Sequence, residues 1–183
     1  MTVLAASRSW GQASAVVLPE RALDPEHQRV RDGFLALRDS LHTIDIASAR
    51  IQRDMHTASD AVLASRARMV RDGCARSSRT LPGARREMFS IGTKAPADRR
   101  ARLQVRFEAL QTALAKCTSD FEAWSSPGKA DEVRGYAVAR ILRVQDVLRV
   151  YEGEAHSYLK SVGIKVRPLY AGPSPLAGSV NQP

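Results

Sequence analysis

Four histidines, His27, His42, His56 and His156, are the side chains here best suited to hold a metal or move a proton near neutral pH. His42 and His56 lie two heptads apart. On a straight helix they would share a face at a separation of about 21 Å, too far for one ion. Glu152 and Glu154 flank Gly153 and point in different directions on a helix. Di-iron bundles need Glu-x-x-His motifs on inward faces, but Ala155 and Ser157 stand three residues after these two glutamates. Hydrolase elbows, phosphate-binding glycine loops and dinucleotide fingerprints are absent. The expectation is a non-enzymatic protein with no cofactor and no metal ligand set.

Cys74 and Cys117 have no metal-ligand spacing. One falls in an expected loop and one on an expected core seam, so both read as free thiols in a reducing compartment. That places the chain inside the cell, in the cytoplasm or cytoskeleton. Residues 1–19 carry Arg8 and no acid, a thin transit-peptide pattern that keeps the mitochondrion as the alternative.

The strongest functional signal is a basic cluster: Arg76, Arg79, Arg85, Arg86, Lys94, Arg99, Arg100, Arg102 and Arg106. Only Glu87 and Asp98 oppose it, within a chain of net charge +9. Arginine outnumbers lysine 23 to 5, which supplies planar donors that match carboxylates and phosphates. Several of these arginines fall near a helix N-terminus, where a cation opposes the macrodipole. A partner with an acidic surface accounts for that placement. Nucleic-acid binding usually adds stacking aromatics, and only Phe89 and Phe107 lie in the cluster.

The elements that must carry these residues follow from apolar spacing. Asp24-Pro25 reads as a helix start, because Asp accepts from orphan amides and Pro is tolerated at the first position. From there Val30, Phe34, Leu37, Leu41, Ile44, Ile51, Met55, Ala58, Val62 and Met69 alternate four-three, with Ser48 and Ser65 in the gaps. This predicts one helix over residues 25–72 with a coiled-coil seam, weakest and open to a kink at Thr57–Asp60. Residues 73–95 carry Pro82-Gly83, Ser77-Ser78 and Gly92, and read as a basic connection. A second helix, 96–125, has the seam Leu103, Phe107, Leu110, Leu114, Cys117, Phe121 and Trp124. A third, 131–162, follows Ala137, Ile141, Val144, Leu148, Tyr151, Ala155, Tyr158 and Val162. Ser125-Ser126-Pro127-Gly128 stops one helix, and Gly163 stops the next.

The fold class expected is therefore all-α. It comprises three long heptad-patterned helices, the last two an antiparallel hairpin and the first longer than either. Residues 1–23 and the Pro/Gly-rich residues 163–183 are read as extended arms. Three long helices with a basic face resemble membrane-curving BAR domains. The stretch Arg102-Leu103-Gln104-Val105-Arg106-Phe107 resembles the N-terminal three-helix bundle of syntaxins. These resemblances imply a helical fold; no SNARE coiled coil follows Val162.

A long first helix leaves seam uncovered by the hairpin, and an uncovered seam is a binding surface. The functional expectation is a structural subunit of a large assembly, cytoskeletal or microtubule-associated. Its partners would be a helix along residues 25–72 and subunits with acidic surfaces. An anionic membrane or RNA is the alternative partner.

Overall fold

The computed structural model describes residues 23–126 and 128–167. Most of the two expected arms, residues 1–22 and 168–183, lies outside the described residues, as does Pro127 in the expected turn. Among the described residues the protein is all-helical, with four long helices rather than three: α1 (Pro25–Asp54), α2 (Asp60–Met88), α3 (Ala97–Trp124) and α4 (Ala130–Ser161). They run up-down-up-down as an antiparallel bundle. Lys94–Glu26 and Tyr158–Met88 pair at the upper end, and Arg66–Asp54, Arg71–Glu122 and Arg134–Asp60 pair at the lower end.

α1 begins as its sequence predicts. The Asp24 carboxylate accepts from the amides of Glu26 and His27 at 3.0 Å each, and Pro25 occupies the first turn. It does not continue to residue 72. The chain turns at Met55–Ser59 and returns as α2, so the expected kink is a full reversal. Arg66 Nε holds Asp54 at 2.7 Å, while Arg134 donates to the Ala58 carbonyl at 3.2 Å. The reversal also changes the seam's phase. Leu63 and Val70 are buried, whereas Val62 is 38% exposed and Met69 half-buried. Val62-Leu63 and Met69-Val70 are adjacent apolar pairs, so the sequence alone supports either phase.

α2 also runs through the expected loop. Gly73 and Ser77, at the start of that stretch, are small where α1 lies close, whereas Gly83 has open space around it. A Cβ on Gly33 would meet Glu87 Cβ at 2.7 Å, and one on Gly73 would meet Ile44 Cγ1 at 3.2 Å. Buried Ser77 shares a hydrogen bond with buried Ser40. Pro82 sits inside α2 on its exposed side. A proline there costs about 3 kcal/mol, offset by burying Leu81, Ala84 and Met88 along the same turns.

Cys74 and Cys117 form a disulfide joining α2 to α3, with Cα atoms 6.1 Å apart. This corrects the expectation of two free thiols and removes the support it lent to a reducing compartment. Helix propagation through residue 74 turns that cysteine onto the α3 face.

α3 and α4 form the expected hairpin, with Gly128 at φ +80° in the turn. At the top of α4 the Gly163 amide donates to Lys160 O (3.1 Å) and the Ile164 amide to Leu159 O (2.9 Å). Gly163 at φ +78° gives the left-handed residue this cap requires, and buried Ile164 and Leu159 supply its apolar contact. The core is aliphatic with an aromatic group at the upper end. Phe107 lies 5.2 Å from Tyr151, and Phe89 lies 5.6 Å from Phe107 and 5.9 Å from Tyr158. No helix is long and apolar enough to cross a membrane among the described residues.

Candidate interaction surface

Residues that pointed to a partner divide into three groups. The seam residues Val30, Phe34, Leu37, Leu41, Ile44, Ile51 and Met55 are buried in the chain's own core. α2 supplies the helix that covers them, so the expected uncovered seam is not on the surface. Of the expected partner-binding seam only Val62 is exposed.

The second group comprises basic residues that tie the bundle together. Lys94, in the short 3-10 turn Gly92–Lys94, pairs with Glu26, whose carboxylate raises the lysine's pKa. Arg99 donates to the Ser157 hydroxyl at 3.0 Å, fastening α3 to α4. Arg100 donates to the Gly92 carbonyl at 3.1 Å. Arg102 lies 3.4 Å from Asp98, and Arg85 lies 4.0 Å from Glu108. The arginines at the N-terminus of α3 therefore offset the macrodipole penalty through contacts within the chain. Arg106 is half-buried.

The third group faces solvent. Arg76, Arg79 and Arg86 lie on the outward side of α2 and are exposed. Arg68, which apolar spacing alone does not single out, joins them on the same face. Its distance from Arg79 and Arg86 along the helix, eleven and eighteen residues, is the signal that identifies it. The line from Arg68 to Arg86 is about 27 Å long. Asp72 is the acid within it, and Arg71 holds that carboxylate at 2.8 Å. The pKa of Arg71 is raised by Asp72 first and then by Glu122. Arg76 and Arg79 have no ion pair among the described residues, and Arg86 only approaches Glu87 at 3.9 Å. α2 thus presents Arg68, Arg79 and Arg86 nearly in line with Arg76 to one side, and the guanidinium groups of Arg76 and Arg79 are open to carboxylates.

Among the described residues no such concentration of catalytic groups appears. His42 and His56 are exposed, His27 pairs with Asp24 at 2.6 Å, and the His156 ring packs edge-on against Phe34 at 6.0 Å. Among the described residues no three His, Cys, Asp or Glu side chains converge on a possible metal position.

Comparison with known protein families, with characterised proteins and with solved structures finds nothing that matches this chain.

Proposed function

We propose that the protein is a non-enzymatic structural subunit of a larger assembly, which grips an acidic protein surface through the outer face of α2. A cytoskeletal setting, such as the acidic outer surface of a microtubule, fits this chemistry. The observation that supports the reading is the exposed row Arg68, Arg76, Arg79 and Arg86, whose one interspersed acid is already held by Arg71. A rigid helix presenting cations in line suits a regular acidic surface, and its charge steers encounter. Phe89 is packed against Phe107 and Tyr158, so that ring does not serve as a base-stacking platform beside the row.

Co-sedimentation of the full chain with purified microtubules tests this reading. Binding that weakens with salt supports it. The triple variant Arg76→Glu, Arg79→Glu, Arg86→Glu should bind at least about tenfold more weakly, since several exposed pairs of roughly 0.5 kcal/mol each are reversed. Pelleting with phosphatidylserine vesicles or retention of single-stranded RNA, without microtubule binding, would replace the acidic-protein reading.

A further inference from the structure

The outer surface between α3 and α4 is a groove of about 540 Å³. Val105, Ala109 and Ala113 line its α3 wall, and Val144 and Val147 line its α4 wall. A bundle helix ordinarily turns a charged face to water, so this departure calls for an occupant. Val105 is 55% exposed, and α4 carries further exposed apolar side chains about one turn to either side of its groove wall. The α3–α4 register is set by Arg99 on Ser157 and Arg140 on Asp120. It brings exposed Val150 to the upper end and exposed Tyr136 to the lower end.

From Val105 to Lys116 the groove runs three turns, about 16 Å. That is the span over which a docked helix places anchors at i, i+3 or i+4, and i+7. Ala109 and Ala113 leave room for its backbone to come close. The rim selects its charge. Lys116, Arg140 and Arg143 border the groove against one acid, Glu108, which leans toward Arg85. Asp120 is shared by Lys116 at 3.5 Å and by Arg140. Arg143 is exposed and has no ion pair among the described residues.

We propose that this groove docks an amphipathic helix of a partner protein whose apolar stripe is flanked by Asp or Glu. A second copy of the chain is the poorer occupant, because it carries the same net charge of +9 and brings the same cationic rim. The inference makes no use of the exposed row Arg68, Arg76, Arg79 and Arg86 and stands whether or not that row binds an acidic surface.

The test uses the full chain labelled for NMR. The probe is a synthetic helical peptide with leucines at i, i+3, i+4 and i+7 and glutamates on both flanks. Its control carries lysines in place of the glutamates. Shifts should fall on Val105–Lys116 and Arg140–Val147, with the glutamate peptide binding at least about tenfold tighter than the lysine peptide. Val105→Glu should weaken binding about tenfold or more. Arg143→Glu, at an exposed position that leaves the fold intact, should narrow the difference between the two peptides. Equal binding of both peptides, or shifts confined to the outer face of α2, would overturn the proposal. So would a chain that sediments as a dimer and becomes monomeric on Val105→Glu, since a second copy would then fill the groove.

Discussion

Ser40 of α1 and Ser77 of α2 share a 2.7 Å hydrogen bond buried between the two helices. The pair lies midway along the α1–α2 interface, and Gly33 and Gly73 mark close approaches elsewhere along it. Removing one hydroxyl strands the other in the core, at a cost of about 1–3 kcal/mol, whereas removing both is nearly neutral. Ser40→Ala and Ser77→Ala should each lower the urea midpoint, and the double variant should recover most of the loss. A double variant that loses the sum of the two singles would show that the bond does not hold the interface.

Gly33 offers a steric test of the same interface. A side chain there must displace Glu87, whose Cβ would lie 2.7 Å from the new Cβ. Gly33→Val should destabilise by about 1–3 kcal/mol through overpacking, even though valine replaces a poor helix former. Chemical denaturation of the variant beside the wild type measures it. Greater stability in the variant would mean that α1 and α2 do not come this close.

The disulfide closes a loop of 43 residues between α2 and α3. Chain entropy assigns such a bridge about 4 kcal/mol. For a protein of this size that corresponds to roughly 8–16 °C in Tm. Melting with and without reductant should reveal the difference, and alkylation of the unfolded, unreduced chain should find no reactive thiol at Cys74 or Cys117. An alkylated chain with an unchanged Tm would put the two cysteines back as thiols.

Asp24 ties acid stability to the start of α1. Hydrogen bonds from the His27 amide first, and then from its side chain, hold the Asp24 carboxyl at about 2, below its ordinary 3.8. A depressed folded-state pKa contributes stability above the unfolded value, and that contribution disappears as pH falls through the folded value. Asp24→Ala should therefore melt earlier than wild type near neutral pH, and the difference should shrink as pH falls from about 4 towards 2. A gap independent of pH would show that the cap does not act through its charge.

At the alkaline end, burial raises the pKa of both Tyr151 and Tyr158. Here the neutral phenol is the form the fold favours, so stability is full below about pH 10 and falls as pH rises beyond it. Tyrosinate absorbance should show these two rings ionising only as the bundle unfolds. Tyr158→Phe should also lose about 1 kcal/mol with the 2.9 Å bond to the Met88 carbonyl.

Signals that act within a few residues were legible in the sequence. Asp24-Pro25 caps α1, Gly163 ends α4 with its left-handed residue, and α3 stops at Ser125, with Gly128 in the turn that brings α4 back onto it. The all-α class was legible too, because the four-three spacing of apolar residues survives any arrangement of the helices. Tertiary structure decided what that spacing leaves degenerate. Adjacent apolar pairs at Val62-Leu63 and Met69-Val70 allow a straight rod or a reversal, and Arg66 and Arg134 hold the reversed form. Small residues at Gly73 and Ser77 suit a loop or a close helix contact equally well, and only the presence of α1 distinguishes the two. The same holds for charge. Nine basic residues read alike along the chain, but the fold directs some to Glu26, Ser157 and the Gly92 carbonyl and leaves the outer row of α2 in water. Local capping chemistry is written residue by residue. Which side chain meets which depends on distances between helices that no single stretch of sequence contains.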